Sequence, residues 1–321
     1  LFVSLLIVVL VLSGCSASKF IPEGKFLLDD AEIKSDVKDV NPDRLKAYIR
    51  QKGNSKWFSL FKIPLGTYAL SGKDSTKWIN KKLRDLGEDP VLFDSLQTAM
   101  TCSDLENVLH GLGYLRATVD YNLDFKKKKK VVVVYNLHPG PLYHISSVSY
   151  DIQDDKIAEF LNTGEEGGFK PGLRVGMPFL TNELDNERKA LTKYLNNNGY
   201  YKFHKDFITY SADSVRGSTD VDLTLHLHKY TANSKSPEEA HTRYKINDVT
   251  YYSNDERNYV PLRQSVLEEN TLIEPGEYFN SEALQKTYNR FSRLQIVKYT
   301  NIRFNELPDS DKLNCDIGIS T

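Results

Sequence analysis

The sequence predicts an α+β protein built from three tandem β-α-α-β-β modules, each a three-stranded sheet covered on one face by two helices. Two observations support this prediction. Residues 143–229 contain the patterns of one complete module in order: strand, helix, helix and two strands. The opening pattern Tyr-x-Ile-x-x-Val-x-Tyr begins at Tyr143 and occurs again from Tyr244. Such self-similarity is typical of tandem modules.

The middle module shows both structural periodicities. Its second helix is predicted over residues 181–197 and is followed by Gly199, where a left-handed cap residue belongs. The apolar face of this helix contains Leu184, Leu191, Tyr194 and Leu195. The last strand, residues 220–228, alternates apolar and polar side chains, which predicts one buried and one solvent-exposed face. Its apolar residues are Val221, Leu223, Leu225 and Leu227.

The other two modules repeat parts of this pattern. Pro275-Gly276 matches Pro171-Gly172, and each pair is followed by a phenylalanine, Phe279 or Phe179, before a helix. In the first module Gly113-Tyr114 matches Gly199-Tyr200. In every sheet we expect the second strand at an edge and the third strand in the middle.

We place the three modules at residues 26–140, 141–230 and 242–321. The linker at residues 231–241 is polar and rich in turn formers, whereas Pro139-Gly140-Pro141 between the first two modules is short and stiff. We therefore expect more hinge freedom after the second module than before it.

In the first module, Asn41-Pro42 marks a helix start, because Asn is a good N-cap and Pro fits the first turn. The second helix is predicted from about Ser103 to Gly111, and strands follow at residues 115–125 and 131–137. Five lysines, residues 126–130, separate these strands. A solvated hairpin tip and a site for nucleic acid or anionic lipid are both possible, and we favour the hairpin tip.

An insertion at residues 52–94 interrupts the first module. It mixes aromatic side chains with lysines, and the aromatic residues are Trp57, Phe58, Phe61, Tyr68 and Trp78. Such a mixture fits a membrane-surface segment or a local core with solvated lysines. The sequence alone favours the local core.

Composition and motifs provide no evidence for an enzyme. The formal net charge of −1 gives no electrostatic argument for nucleic-acid binding. The sequence contains no phosphate-binding loop, nucleophile elbow or zinc-protease motif, and we expect no catalytic residue and no cofactor. Cys102 and Cys315 fall in different modules, and we expect each to be a small core residue and not half of a disulfide.

Three groups of residues were considered as metal ligands. His226 and His228 share one strand face, and His138 and His144 flank Pro139-Gly140-Pro141. Neither pair has a nearby cysteine or carboxylate cluster in the sequence, so we expect no metal site. The acidic cluster of Asp151, Asp154 and Asp155 lacks the spacing of a calcium loop and better fits a helix start.

The N-terminus has the features of an export signal. Residues 1–12 are almost wholly apolar, too few to span a bilayer as a helix, and they match a signal-peptide core. Leu12-Ser13-Gly14-Cys15 then resembles a bacterial lipoprotein box. We therefore expect residues 1–14 to be a signal peptide, Cys15 to carry the lipid, and residues 15–25 to form a tether.

The tandem modules, with Tyr-x-Ile-x-x-Val openings and Gly-Tyr after the second helix, resemble POTRA domains of the BamA and TamA superfamily of outer-membrane assembly proteins. The lipoprotein box, the stretch from Lys19 to Leu28 and Leu86-Gly-Glu-Asp-Pro-Val-Leu-Phe-Asp94 narrow the resemblance to the TamL-type lipoproteins of Bacteroidetes. The third module departs from the pattern, with Leu294-Gln295-Ile296 in place of Gly-Tyr. The C-terminal barrel that such proteins carry is missing from this sequence.

The resemblance implies a lipid-anchored protein on the periplasmic face of the outer membrane. It implies that the modules bind unfolded outer-membrane protein clients by strand addition, work with their own C-terminal barrel and dock a TamB-like periplasmic partner. The alternatives are the POTRA region of a two-partner secretion transporter and, less favoured, a periplasmic hydrolase.

We assign the client-binding edge to a strand predicted over residues 201–210 in the second module. Tyr201, Phe203 and Phe207 share one face of that strand, and Lys205 interrupts it. A charged residue on an edge deters self-association, so we expect weak, sequence-tolerant binding of client strands.

Overall fold

A computed structural model describes residues 17–56, 62–72, 74, 76–162, 168–215, 217–233, 235–253, 260 and 262–321. The chain forms two compact units, Leu1–Tyr143 and His144–Thr321. The first contains module 1, and the second contains modules 2 and 3. In the described part of the chain, no helix is both long enough and apolar enough to cross a membrane.

Each module has a three-stranded sheet with the same topology. Module 1 contains β1 (Leu27–Ser35), β2 (Thr118–Lys126) and β3 (Lys130–His138). Module 2 contains β4 (His144–Ile152), β5 (Ile208–Asp213) and β6 (Asp220–Leu227), and module 3 contains β7 (Lys245–Ser253), β8 (Tyr299–Glu306) and β9 (Lys312–Ser320). The third strand lies in the centre, parallel to the first and antiparallel to the second, which confirms the predicted order.

The helices of module 1 are α1 (Pro42–Leu45), α2 (Ile63–Leu70), α3 (Trp78–Leu86) and α4 (Ser95–Gly111). The Asn41 side chain accepts a hydrogen bond from the Asp43 amide, as an N-cap does. The predicted start of α4 at Ser103 is wrong. Asp94 accepts hydrogen bonds from the Leu96 and Gln97 amides, and this cap starts α4 at Ser95.

The helices of the second unit are α5 (Asp155–Asn162), α6 (Thr181–Asn197), α7 (Gln264–Asn270) and α8 (Ser281–Ser292). In module 2, Leu191 and Leu195 of α6 pack with Leu225 and Leu227 of β6 in a buried cluster. The alternation predicted for β6 is confirmed, since Val221, Leu223, Leu225 and Leu227 are all at most 1% exposed.

The loop that leads to the second helix corrects the predicted repeat. The Gly176 and Gly276 amides donate to the carbonyls of Ile145 and Ile246, respectively, at 2.7 Å, and both glycines have φ near +90°. Gly276 therefore corresponds to Gly176 and not to Gly172. The Pro-Gly pair suggested the wrong correspondence. The turn requires a left-handed backbone at the glycine position, but it requires no particular residue before that glycine.

The insertion forms a small core of its own. Leu65 and Ala69 of α2 are buried with Ile21 and Leu27, and Leu92 packs against them. The local-core prediction is correct for this part, while Trp57, Phe58 and Phe61 lie outside the described residues. Trp78 is an exception, because its side chain is 72% exposed.

The five consecutive lysines lie at the predicted hairpin tip. Lys126 ends β2 and Lys130 begins β3, so the lysine run forms the tip of the hairpin.

Cys102 and Cys315 are free and buried. Burial raises the pKa of the Cys102 thiol to about 11 and that of Cys315 to about 12, so both stay protonated near neutral pH.

Candidate functional site: the open edge of β2

Strand addition requires an edge strand whose outward amides and carbonyls are unpaired. In each module, the edge formed by the first strand is partly closed by the segment before the second helix. There the edge amides of Leu28, Ile145 and Ile246 donate to the carbonyls of Val91, Met177 and Glu277, each at 2.8 Å. The second strands, β2, β5 and β8, form the other edges of the three sheets.

The β8 edge in module 3 is interrupted. The Ile302 amide, which points away from β9, donates to the Tyr288 hydroxyl at 3.0 Å. Further along β8, the Phe304 ring lies 5.5 Å from Tyr201, and the Glu306 carboxylate binds Lys202 at 2.6 Å. The middle amide of this edge is thus occupied within the protein, and the side chains toward its end pack against Tyr201 and Lys202.

The β5 edge in module 2 is short. The His228 amide donates to the Phe207 carbonyl, so alternation along the antiparallel pair directs the backbone groups of Ile208, Tyr210 and Ala212 away from β6. The Ile208 amide already donates to the Lys205 carbonyl. Only Tyr210 and Ala212 then offer outward amides on this strand.

The β2 edge in module 1 is longer and continuous. The Val119 amide points outward, because it donates to the Glu106 side chain at 2.9 Å. By alternation, Tyr121, Leu123 and Phe125 also direct their amides away from β3. Within the described part of the chain, these three amides have no hydrogen-bond partner. They form the open edge.

The two faces of β2 differ in polarity. Val119 is buried, Tyr121 and Leu123 are half-buried against the module 1 core, and Phe125 is exposed with its ring 4.8 Å from that of Phe26. The opposite face carries polar side chains, and there Asp120 accepts a hydrogen bond from Asn136 at 2.7 Å. A strand added to β2 would continue the apolar face with its own alternate apolar side chains.

A histidine holds the three strands of this sheet together on the polar face. His138 of β3 contacts Asp36, just after β1, at 2.5 Å and Asp120 of β2 at 3.0 Å. Hydrogen bonds to Asp36 and Asp120 raise the pKa of His138 above its ordinary value. The same network leaves the outward amides of β2 unaffected, because it involves only side chains.

The predicted client-binding residues do not lie on an edge strand, contrary to the prediction of a strand over residues 201–210. β5 begins at Ile208, and residues 201–207 form turns, with a 3-10 helix at Lys205–Phe207. The Tyr201, Phe203 and Phe207 amides donate to Gly199, Tyr200 and His204, which are local turn contacts and not ladder bonds.

Each of the four residues has a structural partner. Phe203 is buried, with its ring 4.9 Å from His241, and Phe207 lies 4.8 Å from the same histidine. The Lys205 ammonium lies 3.6 Å from the Asp185 carboxylate. Tyr201 packs against the aromatic residues of module 3, with Phe279 at 4.9 Å.

The joint between modules 2 and 3 is therefore packed. The two modules form one compact unit, which contradicts the expectation of more hinge freedom after the second module than before it. His241 at the end of the linker is buried, and its amide donates to Asp154 at 2.6 Å. Nearby, the Tyr244 hydroxyl donates to Glu306 at 3.0 Å. Partial burial raises the pKa of Glu306, but hydrogen bonds from Lys202 and Tyr244 outweigh it and hold the pKa below its usual range.

The histidines and aspartates considered as metal ligands make other contacts. His226 bridges Asp151 and Ser211, each at 2.8 Å, and His228 bonds to Thr209 at 2.7 Å. Asp154 caps α5 by accepting from the Lys156 and Ile157 amides. Among the residues that the structure describes, no group of three His, Cys, Asp or Glu side chains is placed to hold a metal ion.

In the sequence, Val119, Tyr121, Leu123 and Phe125 alternate strictly with polar residues, and this alternation indicates the strand β2. The sequence could not show which amides stay unpaired, because Glu106, Tyr288 and Lys205 act from other elements. The predicted lipidation site, Cys15, lies outside the described residues.

No protein-family model matches this sequence, and no match was found among curated proteins. Among solved structures, POTRA domains 3–5 of BamA from Haemophilus influenzae are 14% identical, with a TM-score of 0.44 over 94% of this chain and 99% of that one. POTRA domains 1–3 of Omp85 from Anabaena are 13% identical, with a TM-score of 0.30 over 93% and 96%. CdiB from Escherichia coli is 9% identical, with a TM-score of 0.23 over 70% and 33%. At these identities the likeness concerns the fold alone.

Proposed function

We propose that this chain is the periplasmic POTRA region of an outer-membrane lipoprotein of the BamA and TamA superfamily, of the TamL type. Its modules bind unfolded outer-membrane protein clients and present them to a C-terminal barrel, with a TamB-like protein as a periplasmic partner. The sequence resemblance supports this assignment through the three modules and the lipoprotein box. No catalytic step is required.

The observation that carries the client-binding proposal is the open edge of β2, with three successive outward amides at Tyr121, Leu123 and Phe125. Transmembrane barrel strands alternate apolar and polar residues over about ten positions. A client strand of this kind matches the two faces of β2, because its apolar side chains align with Tyr121, Leu123 and Phe125. Main-chain hydrogen bonds would supply affinity without strict sequence preference.

Site-specific crosslinking tests this proposal. A photoreactive amino acid is placed at Phe125 or Asn122 of β2, and an unfolded outer-membrane barrel protein is added. The matched control is Leu96, which is 60% exposed on α4 of the same module and is not part of a strand. We expect crosslinks from both β2 positions and few from Leu96. Equal crosslinking at Leu96 would contradict strand addition at β2.

The two-partner secretion alternative differs in its architecture, because such transporters normally carry two POTRA modules and no lipid anchor. The three sheets and the lipoprotein box therefore favour assembly of outer-membrane proteins. Binding of one dedicated secreted partner, with no binding of unfolded barrel proteins, would instead support the secretion function.

The lipid anchor is a separate part of the proposal. We expect mature protein isolated from membranes to begin with an acylated Cys15, and mass spectrometry of the N-terminal peptide measures this directly. Cys15→Ala should lower the share of a barrel-deleted form that is recovered with membranes, because the acyl chains no longer contribute to binding. Recovery of unmodified Cys15 within an uncleaved chain would contradict the anchor while leaving client binding untouched.

A further inference from the structure

Helix α3 (Trp78–Leu86) of the insertion presents apolar side chains to solvent. Trp78 is 72% exposed, Ile79 is 52% exposed and Leu86 is 68% exposed. At 100° per residue these three side chains fall within an arc of about 100° on one side of the helix. A surface helix of a globular protein normally turns such a stripe toward the core, so this orientation needs a physical explanation.

The opposite side of α3 holds the helix to the module, and it does so with polar side chains. Asn80 accepts a hydrogen bond from the Gly72 amide at 2.8 Å and donates to the Asp74 carbonyl at 2.7 Å. Arg84 donates to the Gly72 carbonyl at 2.8 Å. The helix is thus fixed by its polar face, and its apolar face is held outward.

We propose that the exposed face of α3 lies on the surface of a lipid bilayer. The side chains fit an interfacial position, because tryptophan favours the boundary between headgroups and acyl chains. Lys81, Lys82 and Asp85 are exposed beside the apolar side chains, and the two ammonium groups can meet lipid phosphates. This combination of apolar and cationic groups is typical of helices that lie in the interface.

The N-terminal segment packs against α2 and against the Arg84 side of α3. The Phe20 ring packs on Tyr68 of α2 at 5.2 Å, and the Arg84 guanidinium of α3 lies 5.4 Å from the Phe20 ring. Cys15 precedes Phe20 by five residues, which span at most about 18 Å. This step rests on the proposed lipid anchor, which would bring the bilayer within reach of α3.

Vesicle binding of an unlipidated chain tests the inference independently of the anchor. A chain that begins at Ser16 keeps every residue that the structure describes. We expect it to float with vesicles of phosphatidylethanolamine and phosphatidylglycerol, and less with pure phosphatidylcholine. The variant W78S/I79S/L86S should lose binding at least about tenfold, because it removes the apolar surface that inserts.

The matched control replaces three exposed apolar residues of the other compact unit, Val175, Ile296 and Tyr299, with serine. This variant should bind vesicles like the parent chain. Circular dichroism and unfolding midpoints check that both triple variants remain folded, which is expected because the replaced side chains are exposed.

Fluorescence locates the contact. The chain has two tryptophans, so Trp57→Phe leaves Trp78 as the only reporter. Its emission should shift to the blue on vesicle addition and be quenched by brominated acyl chains. The inference is overturned if the parent chain does not bind vesicles, or if the α3 variant binds as well as the parent. It is also overturned if the α3 variant changes only self-association, measured by analytical ultracentrifugation.

Discussion

Tyr201 of module 2 packs into the aromatic cluster of module 3, with its ring centroid 4.9 Å from that of Phe279. Phe304 lies 5.5 Å from the same ring, and the Lys202–Glu306 ion pair adjoins this cluster. Just before Tyr201, Gly199 adopts φ +100° and its carbonyl accepts from the Tyr244 amide at 2.8 Å. The residues that follow the second helix of module 2 thus pack directly against module 3.

We predict that Tyr201→Ala destabilises the unit formed by modules 2 and 3 by about 2–3 kcal/mol, because it leaves a cavity among aromatic side chains. Denaturant unfolding measures this change. The matched control is Tyr299→Ala, whose side chain is 60% exposed on β8 and which should cost less than about 0.5 kcal/mol. Equal effects of the two variants would mean that Tyr201 does not couple the modules.

The contrast between β6 and residues 201–207 shows what sequence periodicity detects. Apolar and polar residues alternate from Val221 to Leu227 because β6 is the central strand. Its apolar side chains lie on the buried face, toward the helices of the same module. Tyr201, Phe203 and Phe207 alternate in the same way, yet their partners are module 3 and the linker histidine. A single-strand pattern carries no information about such distant partners, so the candidate edge was misplaced.

Local signals placed individual helix ends, since the Asn41 cap marks the start of α1 and the left-handed Gly199 follows the end of α6. The start of α4 was missed although Asp94 is a good N-cap, because residues 95–102 carry no clear apolar stripe. The exposed side of α3 was also unpredictable from sequence, since it depends on the hydrogen bonds of Asn80 and Arg84.

The core of module 2 gives a second prediction. Leu225 is fully buried between α6 and the sheet, so Leu225→Ala should cost about 2–5 kcal/mol in the free energy of unfolding. Val215→Ala serves as the control, because Val215 is 73% exposed in the same module. A loss below about 0.5 kcal/mol for Leu225→Ala would show that the buried face is assigned incorrectly.

We predict that the buried His241 makes the joint between modules 2 and 3 sensitive to acid. Burial lowers the pKa of His241, although its hydrogen bond to the His228 carbonyl and the nearby Asp154 charge act in the opposite direction. The folded state then binds this proton less readily than the unfolded state, whose histidine pKa is about 6.5. Stability from His241 is therefore present above about pH 6.5 and is lost as the pH falls through the lower folded pKa.

Urea unfolding of the chain at pH 7.5 and pH 5.0 measures this dependence for the parent and for His241→Phe. The phenylalanine keeps an aromatic ring beside Phe203 and Phe207 but cannot titrate. We expect the loss of stability on acidification to be smaller in the variant. An identical loss in both proteins would assign the acid sensitivity to other groups.

The central claim is that client strands pair with the open edge of β2, and amide hydrogen exchange at that edge tests it most directly. The measurement follows individual amides by NMR with and without a ten-residue peptide that alternates apolar and polar side chains. We predict that exchange at Tyr121, Leu123 and Phe125 slows when the peptide binds, because their outward N–H groups gain partners. Unchanged exchange at these three amides with the peptide bound would contradict strand addition at β2.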